Sequence, residues 1–343
     1  MRPAARPQDA LRYGVTQAAR VAWYFAQYRL AQRLAPRLPP PPPEAGGNLT
    51  TKALIGDLAQ LLRRDWAHIR AGDYRMPAEL IPRPRDALNQ AAAFFKDLPA
   101  VHRRRRAGVN SEPFETPLRG KLPRYYLQNF HYQSDGYLSE QSAKLYDHQV
   151  EVLFVGGAEA MRRQALPELI QHLRERPDAR FADVACGAGG FLSALHENLP
   201  NLDSLGLDLS QPYLAEARRR LGGKGRFAVG NAESLPLADA SLDAVSCVYL
   251  LHELPRAARA RAIAELGRVV KPGGLVVLVD SIQFGDHEPY DRLIRRFPMG
   301  FHEPYYLDYA ATDLAALANA AGLTVARSER AFFSKIMVMR RGS

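Results

Sequence analysis

Apolar residues repeat differently in the two parts of the chain. In the C-terminal part they form short continuous runs that alternate with segments of helical periodicity. Continuous runs predict strands covered on both faces, and strands alternating with helices predict a doubly wound, mostly parallel α/β sheet. The runs fall at 205–210, 245–251, 323–328 and 334–340, and the helical patterns include 191–198 and 310–321. We therefore expect an α/β domain over residues 139–343.

Residues 1–138 show helical periodicity and predict a mainly helical accessory region. Helices are expected at 11–34, 54–69 and 86–97. Five prolines at 39–43 predict a stiff spacer, and four arginines at 103–106 predict a solvated loop. The first helix has an apolar stripe interleaved with arginines, which fits either a membrane surface or packing on its own domain. The stripe consists of Val15, Ala18, Ala19, Ala22, Phe25, Ala26, Leu30 and Leu34.

A glycine-rich turn at 183–190, Asp-Val-Ala-Cys-Gly-Ala-Gly-Gly, joins a predicted strand to the helix that follows. Asp208 ends the next predicted strand, 19 positions after Gly189. In an open α/β sheet, such a turn lets the backbone approach a nucleotide, and the acid takes the ribose hydroxyls. The dinucleotide pattern has glycines at its first, third and sixth positions, and counted from Gly187 the sixth position is Leu192, which breaks that pattern. The negative charge of Asp183 would repel a pyrophosphate, but it would attract the ammonium and sulfonium groups of S-adenosylmethionine (SAM).

The turn resembles motif I of class I SAM-dependent methyltransferases, usually Asp-Val-Gly-Cys-Gly-Thr-Gly, with Ala185 and Ala188 as departures. Residues 229–243 resemble the GDAExLPFxDxSFD run of the ubiquinone/menaquinone and sterol methyltransferases, with Asn231 in place of the acid. Two further segments are similar to the same family, 142–147 and 268–275. The resemblance covers residues 140–343 and implies a Rossmann-like sheet of seven strands. It also implies SAM as cofactor and S-adenosylhomocysteine as product.

The same resemblance implies where the cofactor would lie. Asp183 and the glycine turn would hold its amino-acid end, with Tyr146 near the methionine, and Asp208 would bind the ribose. Asn231 and its neighbours would surround the adenine. The expected cofactor-binding residues are Tyr146, Asp183, Ala185, Cys186, Gly187, Gly189, Asp208, Leu209, Asn231, Ala232, Glu233 and Tyr249.

The acceptor site is less clearly marked in the sequence. The aromatic-rich segment 121–138 would suit a lid that excludes water, or a loop buried between two domains. A general base is needed only when the acceptor is protonated. The expected catalytic residues are His252 and His302, because histidine titrates in the useful pH range, and Glu303 is a further candidate for the base. The expected acceptor-binding residues are Tyr125, Tyr126, His131, Tyr137, Glu253 and Tyr305. No zinc-ligand spacing is present, so no metal is expected.

Charge and composition add information about partners. The formal net charge is +10, and this excess lies within residues 1–150. The basic part could touch an anionic surface, either membrane or RNA. No apolar run is long enough to span a bilayer, no secretory signal is evident, and two cysteines make no disulfide framework. A cytoplasmic location is therefore expected, with membrane association left open.

Three functions remain open at this stage. A methyltransferase acting on an aromatic or lipid-like small molecule agrees best with the motifs and the aromatic segment. An RNA or protein methyltransferase, docked by the basic region, is less favoured because residues 249–252 are Tyr-Leu-Leu-His rather than an Asn-Pro-Pro-Tyr-like motif. A non-methylating relative that keeps the cofactor site is the third. Formation of a homodimer is also left open.

Overall fold

The computed structural model describes residues 7–35, 49–115 and 118–342, so the proline run at 39–43 lies outside the described residues. Within these ranges, seven strands form one sheet in the order β3-β2-β1-β4-β5-β7-β6. The strands are β1 (Arg180–Val184), β2 (Asp203–Asp208), β3 (Arg226–Val229), β4 (Leu242–Val248), β5 (Val270–Ser281), β6 (Leu323–Ala331) and β7 (Ser334–Arg341).

Helices cover both faces of the sheet and extend N-terminally from it. They are α1 (Pro7–Leu34), α2 (Thr51–Ala71), α3 (Pro84–Ala107), α4 (Glu140–Leu153), α5 (Ala158–Arg163), α6 (Leu166–Arg174), α7 (Gly190–Asn198), α8 (Gln211–Leu221), α9 (Arg256–Val269), α10 (Asp291–Gly300), α11 (Tyr306–Ala310) and α12 (Leu314–Ala320).

Strands β1 to β5 are parallel to one another, whereas β7 is antiparallel to both of its neighbours, β5 and β6. The predicted Rossmann-like, mostly parallel sheet is confirmed. The strand order reverses between β1 and β4, because the chain proceeds outward from β1 to β3 and then returns to the other side. In open α/β sheets such a reversal leaves a crevice at the carboxyl ends of the strands, where ligands bind.

Several predicted element bounds differ from the structure, including those of the fourth strand and of the helix expected at 310–321. The fourth strand begins at Leu242 and ends at Val248, and a 3₁₀ turn follows at Leu251–Glu253. The helix expected at 310–321 is divided, because Asp313 acts as an N-cap whose side chain accepts a hydrogen bond from the Ala316 amide and starts α12 there.

Helix α1 packs on the rest of the chain through its polar and aromatic face. Arg20 is buried, pairs with Glu151 at 2.8 Å, and donates to the carbonyls of Gly156 and Leu80. The other buried residues of this face are Tyr13, Gln17, Tyr24 and Gln27. The predicted apolar stripe therefore points outward, because the buried ion pair and its neighbours occupy the opposite side of the helix.

The loop predicted at the four consecutive arginines is wrong. The four arginines at 103–106 lie in the last turns of α3 rather than in a loop. Arginine is a good helix former, and its positive charge is favourable at a helix C-terminus. Leu58 and Leu61 of α2 belong to the same hydrophobic cluster as Leu166 and Phe181. The N-terminal helices thus share a hydrophobic core with the sheet. The boundary between the accessory region and the α/β domain at residue 138 stays a prediction.

Candidate functional site

A cleft enclosing about 1010 Å³, open mouth included, lies at the carboxyl ends of β1 and β4. Its floor is the glycine turn between β1 and α7, and its roof comes from the segment 121–138. The roof contributes Tyr125, Tyr126, Phe130 and Tyr137. The Ser210 hydroxyl donates to the Tyr137 carbonyl at 2.6 Å and attaches this segment to the start of α8. The segment expected as a lid therefore lies over the cleft.

The glycine turn owes its shape to three left-handed residues. Ala185, Gly187 and Gly189 have φ values of 58°, 54° and 77°. Left-handed backbone costs a residue with a Cβ roughly 1–2 kcal/mol, so Ala185 is strained where the usual motif has glycine. A Cβ on Gly189 would lie 3.0 Å from that of Ala217 in α8. Gly189 therefore serves helix packing and does not line the cleft.

Two carboxylates, Asp183 and Asp208, line the cleft beside the glycine turn. Asp208 accepts hydrogen bonds from the Gly187 amide at 2.9 Å and the Ser210 amide at 2.8 Å. Asp183 accepts from the Ser246 hydroxyl at 2.5 Å, while its Oδ2 is buried and has no hydrogen-bond partner among the described residues. Burial, together with the nearby Asp208, raises the pKa of Asp183 to about 7. An orphaned carboxylate oxygen beside the turn fits the ammonium of SAM.

Arg162 is a cleft residue that sequence reasoning missed. Its guanidinium lies 5.5 Å from the ring centroid of Tyr249 and 3.4 Å from a carboxylate oxygen of Asp147. It sits close to Gly190, at the start of α7, where it can bind a ligand carboxylate. No local pattern marks this residue, because its place depends on how α5 packs against α7.

The cleft is also lined by Leu209, Asn231 and Ala232, which the sequence resemblance predicts to lie near the adenine. The Asn231 side-chain oxygen accepts a hydrogen bond from the Glu233 amide at 3.0 Å, which shapes this loop. The Glu233 carboxylate points elsewhere, because it accepts from the Tyr125 hydroxyl and pairs with Arg261. Glu233 thus attaches the roof to the body and does not line the cleft.

At the other end of the cleft, the turn after β4 contributes Glu253, whereas the adjacent His252, predicted to be catalytic, is buried beside it and does not line the cleft. Asp280 at the end of β5 holds the His252 ring, with Nδ1 and Oδ1 2.5 Å apart. The Tyr137 hydroxyl donates to Glu253 at 2.5 Å. Burial alone would lower the pKa of His252, but Asp280 and the neighbouring carboxylates outweigh it and raise it to about 10. Burial also raises the pKa of Glu253 to about 7, and Glu303 adds to this shift. Sequence reasoning missed Asp280.

The structure separates His302 and Tyr305 from the cleft. The His302 ring lies between Gln128, 2.8 Å from its Nε2, and Asn110, 3.2 Å from its Nδ1. Burial lowers the pKa of His302. Tyr305 precedes α11 and contacts Gln128 at 3.4 Å. Neither side chain lines the cleft, although both follow β5 in sequence as expected.

The other predicted residues come together. His131 lies against Glu303, next to Glu253. The predicted residues that line the cleft are Tyr125, Tyr126, Tyr137, Tyr146, Asp183, Ala185, Cys186, Gly187, Asp208, Leu209, Asn231, Ala232, Tyr249 and Glu253.

Comparison with known proteins agrees with this geometry. Residues 181–274 match a family model described as a methyltransferase domain. The demethylmenaquinone methyltransferase of Deinococcus radiodurans is 36% identical over 141 residues, which cover 40% of this chain and 56% of that protein. The ubiquinone/menaquinone biosynthesis C-methyltransferase UbiE of Methylobacterium nodulans is 37% identical over 179 residues, covering 43% of this chain and 70% of that protein.

An uncharacterized methyltransferase of Synechocystis sp. is 31% identical over 183 residues, covering 52% of this chain and 81% of that protein. The chain thus spans little more than half the length of the Deinococcus relative and larger shares of the other two. The matched segment carries the glycine turn, Asp208 and Asn231. The chain belongs to the class I SAM-dependent methyltransferases of the UbiE type, and SAM is its cofactor.

Proposed function

We propose that this protein transfers the methyl group of SAM to a hydroxylated aromatic small molecule of the quinol class. The observation that carries the proposal is the cleft itself, which has cofactor-complementary groups at one end and a buried polar pocket under aromatic side chains at the other. The names of the relatives, demethylmenaquinone and ubiquinone/menaquinone methyltransferases, support a quinol acceptor.

Bound SAM supplies an electrophilic methyl group on a sulfonium. The residues of the chain bind, orient and exclude water. Asp183 and Arg162 hold the charged amino-acid end, and Asp208 holds the ribose. The aromatic roof covers the reacting atoms, and alignment of the two reactants then supplies much of the rate enhancement.

We propose that His252 acts on an acceptor oxygen at the Glu253 end of the cleft. Asp280 accepts two hydrogen bonds in this loop, from the His252 ring and from the Leu251 amide at 2.7 Å. His252 does not itself line the cleft, but its Nε2 lies 3.9 Å from a carboxylate oxygen of Glu253, which does. A fixed hydrogen-bond donor aimed at the acceptor oxygen can stabilise the charge that develops there.

We expect His252→Gln to lower kcat by roughly 100-fold, the loss typical for a preorganised donor at a reacting oxygen. The matched variant His302→Gln should stay within about twofold of wild type, because His302 does not line the cleft and its ring hydrogen-bonds to Gln128 and Asn110. Initial rates with tritiated SAM measure both. Equal losses in the two variants would contradict this role of His252.

The acceptor class can be tested with purified protein, methyl-tritiated SAM and a panel of acceptors. The panel contains a reduced polyprenyl naphthoquinol, simple phenols, total RNA and a bacterial protein extract. We expect label in the organic-extractable quinol fraction. Label in RNA or protein would overturn the proposed acceptor class. Tight binding of S-adenosylhomocysteine without transfer to any acceptor would favour a non-methylating relative.

We also propose that α1 binds an anionic membrane surface, where a lipid-like quinol would be found. Its outward face exposes Leu11 (71%), Val15 (61%) and Phe25 (46%). Arg12 and Arg29 are exposed on the same helix. Basic and apolar residues together on one face are typical of interfacial helices. Across the described ranges, no helix is long and apolar enough to cross a membrane.

Vesicles with about one third anionic lipid test this surface by co-sedimentation. The double variant Val15→Asp/Phe25→Asp should lose binding, whereas Ile55→Asp, at an exposed apolar position of α2 (63%), should keep it. Equal sedimentation of all three proteins would overturn the proposal. A wild-type dimer that only the double variant dissociates would assign the face to a second copy of the chain.

SAM affinity should rise with pH because of Asp183. With a pKa of about 7, the carboxyl is mostly neutral at pH 6.0 and mostly ionised at pH 7.5. Only the ionised form attracts the ligand ammonium, so the Kd should fall by roughly eightfold over that range. Calorimetry with S-adenosylhomocysteine measures it. Asp183→Asn should bind more weakly with a flat profile, and a flat wild-type profile would contradict the assignment.

A further inference from the structure

A second group of polar side chains meets beside the acceptor end of the cleft. We call His131, Glu253 and Glu303 the His131 cluster. One ligand-type atom from each residue lies within 4.8 Å of the others. Glu253 also lines the cleft, so the cluster borders the space where an acceptor would lie. The cluster brings together three distant chain segments, the roof, the turn after β4 and the loop before α11.

The backbone at His131 is held in an unfavourable conformation. His131 has φ 54° and ψ 18°, and Tyr132 has φ 57°. Two successive left-handed residues with side chains are costly and persist only where surrounding contacts impose them. Here the His131 amide donates to the His302 carbonyl at 3.3 Å, and the Tyr132 amide donates to the Asn129 carbonyl at 2.8 Å. The strain directs the His131 ring at Glu303.

The burial of the Glu303 carboxylate is a second observation, independent of the backbone conformation at His131. Its side chain has 0% exposure, and neither carboxylate oxygen has a hydrogen-bond partner among the described residues. His131 Nε2 is also buried without a geometrically sound hydrogen bond, although it contacts the Glu303 carboxylate. A buried carboxylate that lacks donors is strongly destabilising unless a cation compensates it.

The donor set matches a divalent cation. One imidazole and two carboxylates, at metal–ligand distances of about 2.0–2.2 Å, would require the three atoms to lie within about 4.4 Å of one another. The three atoms already lie within 4.8 Å of one another, so an ion needs a few tenths of an ångström of closure at the widest separation, while the His131–Glu303 contact must open to about 3 Å. Imidazole mixed with carboxylate suits borderline ions such as Zn²⁺ or Mn²⁺, and three protein ligands leave coordination positions open.

We propose that His131, Glu253 and Glu303 bind a divalent cation, and that an open position of this ion holds an oxygen of the acceptor. The second half rests on the proposed methyl-transfer function, whereas ion binding does not. The Tyr137 hydroxyl, which donates to Glu253, would orient that ligand from the outer shell. The proposal narrows the acceptor to molecules with a hydroxyl or carbonyl oxygen next to the methylated position.

The test uses the full chain after treatment with a chelator, without SAM and without acceptor. Mn²⁺ is titrated and followed by electron paramagnetic resonance, with Zn²⁺ added as a competitor. We expect one ion per chain, displaced by Zn²⁺. Glu303→Gln and His131→Gln should each weaken binding on the order of 100-fold. The carboxylate control Glu329→Gln, which removes a partly exposed ion pair on β6, should bind as wild type does.

Folding is checked by S-adenosylhomocysteine binding, and Glu253→Gln serves as a third variant if Glu303→Gln fails that check. Absence of Mn²⁺ and Zn²⁺ binding, or binding that the cluster variants leave unchanged, would reduce the cluster to a His–Glu ion pair and overturn the proposal. Methyl transfer to a quinol without any ion would leave the proposed function intact. If the Kd of the acceptor were the same with and without a bound ion, only the claim that the ion holds an acceptor oxygen would be overturned.

Discussion

Asp208→Ala should weaken the binding of SAM and S-adenosylhomocysteine by about 100-fold. Asp208 accepts hydrogen bonds from the Gly187 and Ser210 amides, so it shapes the glycine turn as well as facing the ribose position. Hydrogen bonds to a charged group contribute about 1.5–3 kcal/mol each, and the loss of the ribose contact and of the shaped turn amounts to about 3 kcal/mol. Isothermal titration calorimetry measures the change.

The control for this variant lies on the same strand. Asp203 begins β2, at the opposite end from the cleft, and forms an exposed ion pair with Arg226. Asp203→Ala should leave the Kd unchanged, because an exposed pair far from the cleft cannot affect the turn. If Asp208→Ala also bound the ligand normally while remaining folded, the assignment of the ribose site would be wrong.

Asp65→Asn should lower the free energy of unfolding by about 3–5 kcal/mol, the usual cost of leaving a buried charge without its partner. Asp65 in α2 is fully buried, and both of its oxygens accept from Arg163, at 2.8 Å and 2.7 Å. The hydroxyls of Tyr13 and Tyr74 donate to the same carboxylate at 2.6 Å and 2.7 Å. This network joins α1 and α2 to α5, so its loss should loosen the N-terminal helices from the sheet.

Urea denaturation measures the change, and Asp73→Asn provides the comparison. The Asp73 side chain is 39% exposed, and its carboxylate lies 2.7 Å from Nδ1 of His68. Exposed pairs contribute less than about 1 kcal/mol, so this variant should be nearly as stable as wild type. Equal stabilities of Asp65→Asn and wild type would mean that the buried network contributes little to the attachment of α1 and α2.

The sequence was a good guide to the sheet and to the cofactor end of the cleft. These depend on short-range patterns, which are apolar runs, a turn that needs left-handed residues, and an acid at a strand end. It was a poorer guide to the acceptor end. His252 and His302 both follow strands of the sheet, yet neither side chain lines the cleft: Asp280 holds the buried His252 beside Glu253, and Gln128 and Asn110 hold His302.

Helix α1 is a second place where the sequence pattern was a poor guide to the structure. Its apolar stripe predicted the face that would meet the protein if it packed on its own domain, but the buried pair of Arg20 and Glu151 places the opposite face inward. Periodicity cannot reveal this, since a polar residue becomes a packing residue only when a distant partner compensates its charge. The helical arginines at 103–106 were misjudged for a related reason, because charge alone does not distinguish a loop from a helix end.

The sequence by itself therefore determined the α/β fold, the glycine turn, the acid that follows it and the cofactor class, because each depends on residues close together in the chain. Only the tertiary structure decided that Arg162 joins the cleft, that Gly189 and Glu233 serve packing, and that the three residues of the His131 cluster meet. The three cluster residues are at least 50 positions apart from one another, and their proximity follows from the packing of the roof and loops over the sheet edge.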